Sequence, residues 1–268
     1  MKIGILGCGW LGMELGKRLR EVNHEVRGSV TRRDGLNELR NAGIIPYLIK
    51  LFESGIQGDI TSFLSGVEVL VIDIPPGLRK NPDLDFVKKI SNLVPYIERC
   101  RVNRVIFTSS TSVYQDSTEF PVYTEEAETD NSSKTAIQLH NAELVLLNNK
   151  NFQASVLRFG GLIGPHRHPV KYLSGRKDIK DPKARINLVH QEDCINAILK
   201  LIDLKNDNSV WNLVYPEHPE KEVYYTKIAR EKGLPEPQFD HSTPSKGKKI
   251  CSKKIMAELK FEFSHSIY

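Results

Sequence analysis

Short apolar runs alternate with segments of helical period along the first half of the chain. Residues 2–6 (KIGIL) form an apolar run stopped by glycines, which predicts a buried strand. Residues 10–21 then carry Leu11, Leu15 and Leu19 at helical spacing. The pattern continues as a strand over 24–30, a helix over 34–42 with Asp34 as its candidate cap, and a third strand within 44–51. A very hydrophobic fourth strand at 67–74, a helix over 83–100 and a fifth strand at 104–109 follow. A longer helix over 133–149 and a sixth strand at 154–159 complete the series.

Strands alternating with helices require right-handed crossovers and a parallel sheet covered on both faces. The predicted class is α/β, a Rossmann-type doubly wound parallel sheet. After residue 160 the pattern loosens, with Gly160, Gly161, Gly164, Pro165 and Pro169 punctuating a loop. A strand at 186–190, helices at 192–203 and 221–232, a strand at 209–214 and a last helix near 252–259 make up the rest. The expected organisation is a dinucleotide-binding domain over 1–160. A small mixed substrate lobe over 161–268 is interwoven with the sheet and unable to fold alone.

Composition narrows the function classes. The 268 residues, 40% apolar, can build a substantial core. The net charge of +5 is mild, and its only dense run is Lys246, Lys248, Lys249, Lys253 and Lys254. The aromatic-interleaved basic stripe of a nucleic-acid binder is missing, whereas a mildly positive site suits an anionic cofactor or substrate. Cys8, Cys100, Cys194 and Cys251 form no CxxC pair, which excludes a zinc knuckle or redox dithiol and fits a reducing cytoplasm. The opening residues read as a strand rather than a secretory leader, and no run approaches the roughly 20 apolar residues of a membrane span. A cytoplasmic protein with a small-molecule substrate, no nucleic-acid or membrane partner and no metal is expected. A homodimer is open.

The strongest chemical signal is Gly7-Cys8-Gly9-Trp10-Leu11-Gly12, placed directly between a strand and a helix. Gly7 permits the tight turn, Gly9 lets backbone approach a pyrophosphate, and Gly12 lets helix pack on sheet. The helix start then offers free N–H groups and a positive dipole end. Cofactor choice falls to the end of the second strand. NAD enzymes place an acid there, about 20 residues on, to accept from the ribose 2′-OH. This chain reads Gly28-Ser29-Val30-Thr31-Arg32-Arg33, with no acid. A guanidinium binds a 2′-phosphate that a carboxylate repels. NADP(H) is therefore expected over NAD(H), with Thr31, Arg32 and Arg33 at the phosphate.

Further motifs carry a family resemblance along nearly the whole chain. They are residues 105–114 (VIFTSSTSVY), Leu157-Arg158-Phe159 leading to Ile163-Gly164-Pro165, and Asn187-Leu188-Val189-His190 leading to Asp193. With the glycine loop, they resemble the extended short-chain dehydrogenase/reductase group, including NAD-dependent epimerases and dehydratases. The resemblance implies that Ser109 and Ser110 lie beside the nicotinamide, with Ser110 at the position of the catalytic Ser/Thr that binds the substrate oxygen. It implies that Ile74, Pro75 and Pro76 sit against the cofactor ribose, and that the loop after Arg158 passes near the nicotinamide.

Two departures stand out. The loop is GxGxxG, where the extended group usually has GxxGxxG. The Tyr-x-x-x-Lys pair is also missing, since none of the nine tyrosines has lysine four residues later. If Glu143 takes the place of the Glu that commonly follows the motif, Thr135 and Leu139 occupy the Tyr and Lys positions, and neither transfers a proton at neutral pH. Tyr114, Tyr123 and Lys134 are candidate replacements. Each has a plain structural reading beside the chemical one. Arg158 reads equally as a substrate or cofactor contact or as a buried pair. His166-Arg167-His168 lacks a third metal ligand and reads as a loop over the substrate site, with Arg167 or a histidine touching an anion, while His190 and Asp193 read as a strand end and a helix cap or as substrate contacts. Two functions remain open: an NADP(H)-dependent oxidoreductase or epimerase/dehydratase-like enzyme on a small polar, sugar-derived substrate, and a non-catalytic dinucleotide-binding redox sensor.

Overall fold

The computed structural model describes residues 1–78, 81–204 and 207–268. It opens with β1 (Lys2–Leu6), α1 (Trp10–Glu21), β2 (Glu25–Val30), α2 (Gly35–Asn41) and β3 (Ile45–Leu48). A hairpin of β4 (Lys50–Phe52) and β5 (Gly55–Gln57) and a short helix α3 (Ile60–Leu64) precede β6 (Val69–Ile72). Next come α4 (Phe86–Arg99), β7 (Arg104–Ser110), β8 (Val122–Tyr123), α5 (Lys134–Leu147) and β9 (Gln153–Phe159). The remainder holds β10 (Gly161–Ile163), α6 (Val170–Leu173), β11 (Leu188–His190), α7 (Gln191–Asp203), β12 (Val210–Leu213), α8 (Lys221–Glu231), β13 (Lys249–Ile250) and α9 (Lys253–Glu258).

Seven strands form the main sheet in the order β12-β9-β7-β6-β1-β2-β3. The pairings of β1 with β2 and β6, of β2 with β3, and of β6 with β7 are parallel. The chain winds outward from β1 through β2 to β3, then returns to β6 on the other side. Strand order therefore reverses at β1, and a doubly wound sheet opens its ligand crevice beyond the carboxyl ends of the strands at that point. Every residue of β6 is fully buried, as a strand covered on both faces must be. The helices take their stripes from the sequence. In α4, Phe86, Ile90, Leu93 and Ile97 are buried, and Asp85 caps the first turn by accepting from the Lys88 N–H at 2.8 Å.

The chain divides into two compact units. The first comprises Met1–Val113, Asn131–Leu157 and Ile195–Val210, and the second Tyr114–Asp130, Arg158–Cys194 and Trp211–Tyr268. This interleaving differs from a single cut at residue 160, because β9 passes from one unit to the other and α7 returns to the first. The second unit has its own apolar cluster, centred on Val170, Tyr224, Tyr225, Ile228 and Ile267. The stretch after residue 160, expected as loop, also holds β10, which pairs in parallel with β11.

Candidate functional site

The glycine loop is fixed by backbone contacts within the first unit. Gly7 donates its N–H to Ser29 Oγ at 3.0 Å, and Cys8 donates to Ser29 O at 2.7 Å. Gly7 has φ +108°, and a Cβ there would lie 2.3 Å from Asp73 O. A Cβ on Gly12 would lie 2.5 Å from Gly7 O, so the close helix-to-strand packing expected of the third glycine is present. Gly9 differs from both. A Cβ there would meet nothing within 4 Å, so its lack of a side chain answers no need of the protein's own packing. Gly9 is the N-cap of α1, with no side-chain capping bond and no acid in the first turn. These features fit a diphosphate on the loop. Leu11 is buried and Trp10 half-buried. Cys8 is a buried thiol whose pKa burial raises to about 12, leaving it inert at neutral pH.

At the end of β2, Thr31, Arg32 and Arg33 are exposed and line a cavity of about 580 Å³. Asp34, Lys50 and Gln57 line it too. Asp34 holds the N-cap position of α2 but makes no side-chain capping bond, so the cap expected from sequence is not formed. Lys50 and Gln57 carry no signal in the sequence, because strands of three residues leave no periodic pattern. On the other side of β1, Ile74 lies beside the glycine loop, its Cγ2 3.0 Å from the Cβ position of Gly7. Pro75 and Pro76 follow it directly. Thr108 Oγ1 donates to Asp73 Oδ1 at 2.8 Å, which ties this segment to β7.

The two serines ending β7 have separate tasks. Ser109 is buried and donates its hydroxyl to Glu143 Oε1 at 2.5 Å. Glu143 is fully buried, so this bond locks α5 onto the strand and occupies the Ser109 hydroxyl. Ser110 is half-buried, and its Oγ accepts the Ser112 N–H at 3.2 Å. Its own proton is left to donate. On α5, Thr135 is half-buried and Leu139 buried, while Lys134 is solvated and 3.8 Å from Asp83.

Tyr114 and Arg158 belong to the second unit. Tyr114 is 1% exposed, and its hydroxyl lies 3.0 Å from Asn212 Oδ1 and from Thr124 O. Arg158, 3% exposed, donates to that hydroxyl at 2.7 Å, with its guanidinium 5.0 Å from the ring centre. Burial raises the Tyr114 pKa, opposed by Arg158. The Tyr114 phenol is thus sealed and held on several sides, and the same contacts pair it with a buried Arg158. Tyr123 stacks on Tyr114 at 4.9 Å.

Of the histidine candidates, His168 and His190 make structural contacts, whereas His166 is exposed. Val170 donates its N–H to His168 Nδ1 at 3.2 Å, which puts the ring proton on Nε2, 3.0 Å from the Tyr224 hydroxyl. Burial, then Lys232 and Lys171, lowers the His168 pKa from 6.5 to about 4. The unfolded chain therefore takes up this proton at higher pH than the fold does. The stabilisation is complete above about pH 6.5 and is lost as pH falls through about 4. The melting temperature should drop across that window, and His168→Phe should flatten the drop. An unchanged pH slope in the variant would remove His168 as its cause. His190 stacks on His265 at 4.3 Å, and Asp193 accepts from Ser264 and His265 instead of capping a helix. Among the described residues, no group of three or more His, Cys, Asp or Glu could hold a metal ion, and no helix is long and apolar enough to cross a membrane.

A parallel sheet that reverses at β1, with a glycine loop at the reversal and a serine edge two strands along, defines a protein of the short-chain dehydrogenase/reductase type. The NAD dependent epimerase/dehydratase family matches residues 87–213. The Escherichia coli (strain K12) protein YeeZ is 36% identical, over 98% of this chain and 96% of its own. MoeE5, solved in complex with UDP-glucuronic acid and NAD, shares the fold with a TM-score of 0.81 at 17% identity, over 100% of this chain and 95% of that one. UDP-glucuronic acid 4-epimerase from Bacillus cereus, in complex with NAD, has a TM-score of 0.79 at 16% identity, over 99% and 92%. The chain belongs to the NAD-dependent epimerase/dehydratase family.

Proposed function

We propose that the chain binds NADP(H) and acts as an oxidoreductase or epimerase on a small polar, sugar-derived substrate. The observation that carries this reading is the cavity at the end of β2, where Arg32 and Arg33 stand in the region in which an NAD enzyme places a carboxylate. A guanidinium forks onto a 2′-phosphate, whereas a carboxylate repels it. The residues that would hold the cofactor are Gly7, Gly9, Trp10, Leu11 and Gly12 at the diphosphate, Thr31, Arg32 and Arg33 at the 2′-phosphate, and Ile74, Pro75 and Pro76 at the ribose. When bound, the coenzyme supplies hydride transfer at its nicotinamide.

Ser110 is the residue assigned to the substrate oxygen. The Ser112 N–H fixes its Oγ and leaves the hydroxyl proton free to donate. Thr135 and Leu139 cannot supply a proton, and Tyr114 is sealed. The chain therefore orients the reacting oxygen, and proton exchange passes to water or to the substrate itself. The sugar-nucleotide complexes of the structural neighbours support the substrate class.

NADPH and NADH titrations test the cofactor, and tighter NADH binding would refute this assignment. Turnover is tested with a panel of carbonyl compounds and nucleotide sugars. Products must be followed directly as well as by NADPH absorbance, because an epimerisation leaves no net change in coenzyme. Ser110→Ala should lower kcat/KM by about a hundredfold, with coenzyme affinity unchanged. A second reading, a non-catalytic redox sensor, is favoured by the buried Leu139 at the position of the family lysine. Tight NADPH binding without turnover, together with coenzyme-dependent capture of a partner, would favour it.

A further inference from the structure

We infer that Lys50, on the β4–β5 hairpin, determines coenzyme specificity by closing the 2′-phosphate site opposite Arg32 and Arg33. The inference rests on the NADP(H) reading and adds a residue from a separate element. Register is the first argument. Val30, the last residue of β2, pairs with Leu48, the last of β3, and the ladder continues through the Ile49 N–H to Val30 O at 3.0 Å. Arg32 and Lys50 each lie two residues beyond that pair, so they leave neighbouring parallel strands at the same end. Adjacent strands run about 4.8 Å apart, which keeps both within reach of one phosphate.

The hairpin supplies the second argument. Lys50 pairs directly with Gln57, and directly opposed residues of an antiparallel pair project to the same side. Both line the cavity that holds Arg32 and Arg33. The site thus gathers three cations against one carboxylate, Asp34. None of the three cationic side chains has a hydrogen-bond or ion-pair partner among the described residues. Like charges collected without partners repel one another, and a group of charge near −2 relieves them. A 2′-phosphate has that charge, and a 2′-hydroxyl has none. Lys50 therefore discriminates between the two coenzymes, whereas the glycine loop serves both.

The test is calorimetric titration of the full chain with NADPH, NADH, 2′,5′-ADP and 5′-ADP. Lys50→Gln should weaken NADPH and 2′,5′-ADP by about ten- to hundredfold, the range of one charge-assisted hydrogen bond. NADH and 5′-ADP should bind as in the unmodified chain, which also shows that the variant folds. Lys50→Arg should retain most of the NADPH affinity. If Lys50→Gln leaves NADPH binding untouched while Arg32→Gln lowers it, Lys50 is outside the site. Equal weakening of NADPH and NADH would also overturn the inference, because the effect would not be at the 2′ position. If the unmodified chain binds NADPH no more tightly than NADH, the NADP(H) reading itself fails, whatever Lys50 does.

Discussion

Gly9→Val should abolish coenzyme binding, by more than about a hundredfold, while the protein melts within a few degrees of the unmodified chain. The expectation follows from the difference between Gly9 and its neighbours. A Cβ on Gly9 meets no protein atom within 4 Å, and the residue's φ of −86° is ordinary for any amino acid. The fold therefore tolerates a side chain there. A bound diphosphate would not, because the added methyl groups would stand between its oxygens and the N–H groups at the start of α1. Losing two such charge-assisted bonds, at about 1.5–3 kcal/mol each, exceeds the stated loss. Gly7→Ala is the opposite case. Its φ of +108° disfavours any side chain, and its Cβ would sit 2.3 Å from Asp73 O. That variant should lose about 3 kcal/mol of stability, and binding with it. Titration beside thermal melts separates the two. Intact binding in a folded Gly9→Val protein would show that the coenzyme does not approach this backbone.

The contrast shows what the sequence could convey. Gly7 and Gly12 are dictated by sterics within a short strand-turn-helix segment, so spacing alone revealed them. Strands buried on both faces, such as β6, are equally legible because burial leaves a continuous apolar run. The absence of an acid after β2 was visible, since it is a property of a few adjacent residues. Lys50 was not, because it acquires meaning only when β3 pairs with β2 and a hairpin of three-residue strands turns it back. The roles of buried polar side chains were similarly hidden. Ser109 is committed to Glu143, 34 residues on, and Arg158 to Tyr114, 44 residues back. A motif names such residues without saying whether their polar atoms face a ligand or another side chain. Ser109 and Ser110 are adjacent in one motif, yet only Ser110 keeps a hydroxyl proton to donate.

Asp193 carries the same lesson to the C-terminal segment, and its removal should strongly destabilise the second unit. Although in the first turn of α7, where a capping role was expected, it is fully buried and turned to the tail. Its carboxylate accepts from the Ser264 N–H at 2.8 Å, the Ser264 hydroxyl at 2.7 Å and the His265 N–H at 3.3 Å. Those bonds hold a segment whose Phe261 and Ile267 are buried and whose Ile267 carbonyl accepts from Tyr224. Asp193→Ala leaves the tail donors without their acceptor, at a cost of about 3 kcal/mol. For a chain of this size that corresponds to a melting temperature lower by about 6–12 °C. Trypsin should also cut faster at the exposed Lys260 and release the last residues. Ser264→Ala should show part of the same loss, and the double variant should fall short of the sum, because both remove one shared contact. Additive losses would mean that the two residues act independently and not through a shared contact, and unchanged proteolysis in Asp193→Ala would mean that apolar burial alone holds the tail.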